Sequence, residues 1–216
     1  MSKLLFDGPE TAAWTLVLAH GAGQGMDSEF LTAFAKGLAT RGTNIGGLRV
    51  VRFEFPYMQA IGRGGKRRPP DREAVLIDAW HAVINSLSDH GVSRKRLVIG
   101  GKSLGGRIAS LIADQAGVAG LICLGYPFHP PGRPTKTRTE HLKQLRTPTL
   151  ICQGTRDPFG DPMQVQDYEL SDSIRFCWLE DGDHGFKPRK ASGLTEKDHR
   201  VKAIDAIVGF VGGLPQ

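Results

Sequence analysis

Long apolar runs with little polar alternation constrain this chain more than any other feature of its sequence. TLVLAH (15–20), LRVVRFEF (48–55), RLVIGG (96–101), AGLICLGY (119–126), PTLICQG (148–154) and SIRFCWLE (173–180) each read as a strand. A strand with one wet face alternates apolar and polar residues, whereas a near-continuous apolar run suits a strand covered on both faces, as in a parallel sheet. Helical patterns lie between these runs. Phe30, Phe34 and Leu38 recur every four residues and stop at Gly42, a C-cap position. Leu76, Trp80, Val83, Ile84 and Leu87 line one face after Pro69-Pro70-Asp71, a helix-start signal. Ile108, Leu111 and Ile112 form a third pattern, and Val201, Ile204, Val208 and Val211 a last helix that docks on the sheet. Strands separated by helices imply right-handed crossovers and a doubly wound α/β sheet of about six or seven mostly parallel strands flanked by helices. The 216 residues contain no repeat and no linker, so one domain over 1–216 is expected. The irregular segments 56–71 and 126–137 are predicted to lie over the C-terminal edge of the sheet, where such folds carry their sites.

Composition narrows the class. No run of about 18 apolar residues exists, so no membrane span is expected, and MSKLLFDGPE lacks the apolar core of a signal segment. A cytoplasmic protein is the resulting expectation. Cys123, Cys152 and Cys177 sit inside apolar runs without a CxxC pair and read as small buried hydrophobes in a reducing compartment. No cysteine or histidine pair has metal-ligand spacing, so no metal is expected. The net charge of +6 is uneven, concentrated in 62–72, in 132–146 and in the tail from Lys187 to Lys202. No nucleic-acid motif or interleaved aromatics accompany it, and no nucleic-acid partner is expected.

The stretch VIGGKSLGGRIAS (98–110) admits two readings. Gly101-Lys102-Ser103 could end a phosphate-binding loop, but that loop needs a glycine at position 96 and a long glycine-rich arc before the lysine. Position 96 is Arg96, followed by strand-like Leu-Val-Ile. The other reading is G-x-S-x-G, a serine on a strained strand-to-helix turn that requires small residues two before and two after it. Gly101 and Gly105 meet that requirement, with Gly100 and Gly106 outside them. A glycine-rich strand-helix turn without chemistry is the bland alternative.

A serine hydroxyl needs a base, and the base an orienting acid. On such turns the chain order is Ser, then Asp or Glu, then His. Asp157 lies just past the strand PTLICQG, in the turn TRDPFG; Asp161 is a rival farther from the strand end. His184 lies in DGDHGF, on the loop after the next strand. His81, His90 and His199 fall in or at the ends of helices, and His129 and His141 precede Asp157, in the wrong order. An oxyanion hole needs N–H donors aimed at developing negative charge. Leu104, following the serine, supplies one, and the loop His20-Gly21-Ala22-Gly23 after an early strand supplies another from Ala22 or Gly23.

LAHGAG (18–23), PPDR (69–72), GGKSLGGR (100–107), GYPFHPPGRP (125–134), RTEHL (138–142), QGTRDPFG (153–160) and DGDHGF (181–186) together resemble the small, cap-poor α/β-hydrolases near the dienelactone hydrolases. More narrowly, they resemble the hydrolase family containing a testis-expressed protein and the third regulatory subunit of the non-specific-lethal histone-acetyltransferase complex. The resemblance implies an α/β-hydrolase fold without a large cap domain, with Ser103 as nucleophile, Asp157 as acid and His184 as base. One branch of that family serves within a large complex.

The resulting expectation is a serine hydrolase of carboxylic esters or thioesters that works through an acyl-enzyme and needs no cofactor. The alternative is a non-catalytic interaction module on the same fold. Arg63, Lys66, Arg67, Arg68, Arg133, Lys136, Arg138, Lys143 and Arg146 lie in segments predicted to overhang the site. A cleft rimmed by one sign of charge concentrates oppositely charged substrates, which predicts short acyl substrates bearing a carboxylate or phosphate. The competing expectation is that these side chains point to solvent.

Overall fold

A computed structural model describes residues 3–62 and 64–215. The strands are β1 (Leu4–Asp7), β2 (Trp14–Ala19), β3 (Leu48–Phe53), β4 (Leu97–Lys102), β5 (Gly120–Leu124), β6 (Thr149–Gly154) and β7 (Ile174–Leu179). They form one sheet in the order β1-β3-β2-β4-β5-β6-β7. All neighbours pair parallel except β1, which runs antiparallel to β3. Every residue of β2, β5 and β6 is buried, in agreement with the continuous apolar runs. Six strands coincide with the predicted ones to within two residues or so, while β1 is additional. LLFD is too short to show a period, and an edge strand needs only backbone pairing on one side. Its Phe6 is 47% exposed, with the Arg49 guanidinium stacked 4.4 Å from the ring centroid.

The helices are α1 (Glu29–Arg41), α2 (Pro56–Gly62), α3 (Glu73–Asp89), α4 (Leu104–Ala116), α5 (Pro162–Val165) and α6 (Glu196–Gly212). Leu76, Trp80 and Val83 of α3 and Ile108 and Ile112 of α4 cover one face of the sheet, packing with Val17, Val51 and Ile99. Leu31, Phe34 and Leu38 of α1 and Ile204, Ile207 and Val208 of α6 cover the other, over Leu16, Val98 and Ile122. Each face therefore buries its own stripe of aliphatic and aromatic surface, the dominant favourable term in such a fold.

Two helix ends differ in detail from their sequence signals. Gly42 is the C-cap of α1 but keeps a right-handed φ of −67°; the left-handed residue is Gly46, four positions on. Gly42 is small for a packing reason, since a Cβ there would sit 2.3 Å from the Leu48 Cβ. Asp71 does not cap α3, which begins two residues later; its carboxylate takes Arg68 at 2.8 Å instead. The segment 56–71, expected to be irregular, begins with α2.

One buried cation organises the edge of the sheet. Arg52 of β3 donates to the Met26 carbonyl at 2.8 Å, the Thr32 hydroxyl at 2.7 Å and the Asp7 carboxylate at 2.9 Å. It thereby ties β1 and the start of α1 to the loop that follows β2.

Candidate active site

Ser103 stands between β4 and α4 with φ 49° and ψ −109°, a conformation that costs a non-glycine residue about 1–3 kcal/mol. The turn is held because Ser103 N–H donates to Leu124 O at 3.0 Å and Ser103 O accepts from Arg107 N–H at 3.0 Å. The neighbouring glycines are required by close approach of backbone. A Cβ on Gly101 would lie 2.2 Å, and one on Gly105 2.5 Å, from the Ala19 carbonyl oxygen. Because backbone atoms of a packed strand cannot step aside, Gly105→Ala is expected to destabilise the fold by about 1–3 kcal/mol, read as a lower melting temperature. An unchanged melting temperature would contradict this packing.

Asp157 lies past the end of β6 and is 1% exposed. Its carboxylate is fully engaged: Oδ1 accepts from Phe159 N–H at 2.9 Å, and Oδ2 accepts from Gln153 Nε2 at 3.0 Å and from His184 Nδ1 at 2.7 Å. A carboxylate can only accept here, so the neutral His184 imidazole carries its proton on Nδ1 and leaves Nε2 as the acceptor. Phe159 packs edge-on against the imidazole, 4.6 Å between centroids. The rival Asp161 is occupied elsewhere, as the N-cap of α5, with its side chain accepting from Gln164 N–H at 2.9 Å in a capping box.

Ser103 and His184 open on one cleft of about 330 Å³, whose walls include Ala22, Gly23, Phe30, Lys102 and Phe159. No hydrogen bond joins the Ser103 hydroxyl to the imidazole among the described residues. Such contacts often tighten only when substrate is bound. His20 shapes the loop on the opposite wall. Its Nε2 accepts from Phe55 N–H at 3.1 Å, leaving Nδ1 to donate to Gly21 O at 2.7 Å. Burial pushes the His20 pKa down, which favours this neutral form. Tyr57 of α2 donates to Ala22 O at 3.2 Å, bracing the loop from below. Leu104 is the first residue of α4, so its N–H has no acceptor within the helix and faces outward from the N-terminus. The arrangement brings a serine, an imidazole held by a carboxylate and the backbone of the Gly21–Gly23 loop around one opening.

A family described as the alpha/beta hydrolase domain matches residues 12–212. The chain belongs to this family. Among solved structures, the α/β hydrolase domain is similar to an α/β serine hydrolase without lid from Xanthomonas campestris, with 22% identity and a TM-score of 0.70 over 99% of this chain and 89% of the other. It is also similar to an α/β serine hydrolase homologue from Coxiella burnetii, with 21% identity and a TM-score of 0.70 over 95% and 89%. A dienelactone hydrolase from Anabaena variabilis gives 19% identity and a TM-score of 0.66 over 97% and 88%. At these identities the likeness is one of fold.

Two features of the hydrolase domain around the cleft were not read from its sequence. The first is Lys102, the residue that invited a phosphate-loop reading. Its ammonium lies between the rings of Phe30 and Phe186, 5.5 and 5.6 Å from their centroids, and donates to the His184 carbonyl. Burial lowers its pKa to about 8. Lys102 thus ties the serine turn directly to the histidine loop, a contact between residues that share no local pattern.

The second is the anchoring of that loop by two aspartates. Asp183 Oδ1 accepts from Gly185 and Lys187 N–H at 2.8 and 2.9 Å. Asp181, held at φ 57°, accepts from Arg189 N–H and Nε, both at 2.7 Å, and pairs with Arg156 at 3.0 Å. The Arg189 hydrogen bond, first among these, lowers the Asp181 pKa to about 2. A carboxyl whose folded pKa is depressed stabilises the fold above the ordinary carboxylate range near 4 and loses that contribution as pH falls toward about 2. Melting temperature should therefore fall over that window, and Asp181→Asn should flatten the fall. An identical acid profile in the variant would remove this role.

The basic segments are placed differently from expectation. Among the described residues, none from 56–71 or 126–146 lines the cleft. Arg63 lies outside the described residues. Lys66, Arg67, Arg133 and Lys136 are exposed, and Arg68 pairs with Asp71. Lys143 is shared by Glu140 and Glu169 at 3.2 and 3.0 Å, and Arg146 lies 3.6 Å from Asp114. Arg138 is half-buried behind Tyr126, whose hydroxyl donates to its carbonyl at 2.9 Å. For Lys143 and Arg146 an acidic partner lies outside the two segments, in Glu169 and Asp114, invisible to a reading of those segments alone.

Proposed function

We infer that the chain is a single-domain serine hydrolase acting on carboxylic esters or thioesters. The observation that carries this reading is a strained serine on a G-x-S-x-G turn opening on the same cleft as an imidazole held by Asp157 at 2.7 Å. Ser103 Oγ attacks the acyl carbon while His184 Nε2 takes its proton, and Asp157 holds the imidazole tautomer and stabilises the imidazolium. Negative charge on the tetrahedral oxygen is received by the N–H of Leu104 and by that of Ala22 or Gly23, each donor contributing about 3 kcal/mol to lowering the barrier. The imidazolium returns its proton to the leaving alcohol or thiol. Water then enters, loses a proton to His184 and attacks the acyl carbon; the bond to Ser103 Oγ breaks, Oγ takes the proton back from the imidazolium, and the acid departs. These residues complete the cycle without a metal or organic cofactor.

The neighbours described as serine hydrolases and a dienelactone hydrolase support ester chemistry, and one described as lacking a lid suits an open cleft of this size. The motif resemblance to the family containing the testis-expressed protein supports the same three residues. No described helix is long and apolar enough to cross a membrane, and we place the activity in the cytoplasm on small, soluble substrates. The cleft-lining cation is Lys102, already tied to His184 O, so we favour no anionic substrate over a neutral one.

The test is covalent. A fluorophosphonate should label the native protein at Ser103 with one-to-one stoichiometry, because only an activated serine attacks phosphorus readily. A panel of matched esters and thioesters of increasing acyl length then defines the substrate class. A native protein that resists the reagent and hydrolyses nothing in the panel would favour the interaction module instead.

A further inference from the structure

Cys152 and Cys177 are free thiols that face each other across β6 and β7, as direct partners in the parallel register. Partners in register on adjacent strands project to the same face, and both cysteines pack on the α6 side of the sheet. Neighbouring strands lie about 4.8 Å apart, inside the Cα separation of about 4.4–6.8 Å that a disulfide spans. The two thiols differ in access. Cys152 is fully buried, whereas Cys177, on the edge strand, is partly exposed in a surface depression of about 570 Å³ that also includes Arg175, Lys202 and Phe210.

We propose that Cys177 and Cys152 form a peroxide-responsive dithiol that closes to a disulfide across β6 and β7. The Cys177 thiolate attacks one oxygen of a hydroperoxide, and the O–O bond breaks. Cys177 becomes a sulfenic acid, and the other oxygen leaves as hydroxide or alkoxide and takes up the proton that Cys177 had lost. Cys152 sulfur then attacks the sulfenyl sulfur; the S–O bond breaks, and the departing oxygen leaves as water with the Cys152 proton. Two thiols lose two electrons in total, and the peroxide gains them.

The surroundings divide the roles. The neighbouring Cys152 thiol lowers the Cys177 pKa to about 7, burial opposes this, and the Lys202 ammonium adds to it. The same contact and full burial push Cys152 well up. Cys177 is therefore the attacking sulfur and Cys152 the resolving one, since the thiolate is the nucleophile. Cys123 is an internal control. It is buried on the opposite face of the sheet, and its thiol is pushed far above the ordinary range by burial alone. The bond would join the two strands whose C-terminal ends carry Asp157 and His184.

The experiment treats the reduced full-length chain with a modest excess of hydrogen peroxide and follows free thiols, intact mass and a peptide map. The expected result is loss of two thiols, a mass lower by two hydrogens, a Cys152–Cys177 cross-linked peptide with Cys123 still reduced, and full reversal by dithiothreitol. In Cys177→Ser, thiol loss should slow about tenfold or more, reflecting the lost thiolate fraction. In Cys152→Ser or Cys152→Ala, Cys177 should accumulate as a sulfenic acid that dimedone traps. Because Cys152 is buried, the wild-type peptide map decides the question whether or not those variants fold. Oxidation of Cys123 first, wild-type rates in Cys177→Ser, or Cys177 passing to sulfinic acid beside a reduced Cys152 would each overturn the proposal.

Discussion

Ser103→Ala should lower kcat by about 10⁶-fold, to the level supported by binding and the backbone donors alone. The variant should also lose all fluorophosphonate labelling while keeping its far-ultraviolet spectrum. Ser103→Gly separates chemistry from strain. Ser103 holds φ 49° and ψ −109°, a region that glycine enters freely. Ser103→Gly should therefore be as inactive as Ser103→Ala yet more stable than wild type by about 1–2 kcal/mol, measured by denaturant unfolding. Residual activity within tenfold of wild type in either variant would move the nucleophile elsewhere.

Asp157→Asn should reduce kcat by about 10⁴-fold. The amide nitrogen cannot accept from Nδ1, so the imidazole turns to the tautomer with its proton on Nε2, and that nitrogen no longer accepts from the serine. The cost should appear in kcat much more than in KM, because Asp157 is 1% exposed and does not line the cleft. A stability loss of about 1–3 kcal/mol should accompany it, since Gln153 Nε2, Phe159 N–H and the imidazole all donate to this carboxylate. A nearly wild-type rate in Asp157→Asn would leave the acid unassigned. Asp161→Asn, by contrast, should cost only part of a helix cap and leave kcat within a few-fold.

The sheet was legible because burial on both faces leaves its mark on every residue of a strand. LICLG and LICQG carry one polar side chain between them, Gln153, and every residue of both is buried. β1 was not legible, because four residues paired on one side carry no comparable demand. The candidate residues were readable through order and position: Ser103, Asp157 and His184 each follow a strand, and strand ends share one edge of a parallel sheet. What linked them was not readable. The bond from Lys102 to His184 O, the pairing of Asp181 with Arg156 and the bracing of Ala22 by Tyr57 all join residues far apart in sequence. The same limit explains the basic segments. Within 126–146 only Glu140 is acidic, but Lys143 also reaches Glu169 and Arg146 reaches Asp114, carboxylates that chain distance hides.

The strand order has a consequence for how the molecule comes to be active. β2 lies between β3 and β4, so the loop after β2 is brought to the serine turn by the parallel pairing of β2 with β4, Leu16↔Val98 among its partners. Closing that contact encloses roughly 80 residues of chain, a loop-entropy cost of about 4 kcal/mol that local helix formation does nothing to offset. The proposed donors of Ala22 or Gly23 and of Leu104 thus belong to two parts of the chain that are expected to meet after local helices have formed. A partly assembled chain can hold most of its secondary structure and still have no place to put an oxyanion. Recovery of turnover during refolding is for this reason a reporter of a strongly non-local step, and it should lag behind the return of helical signal rather than accompany it.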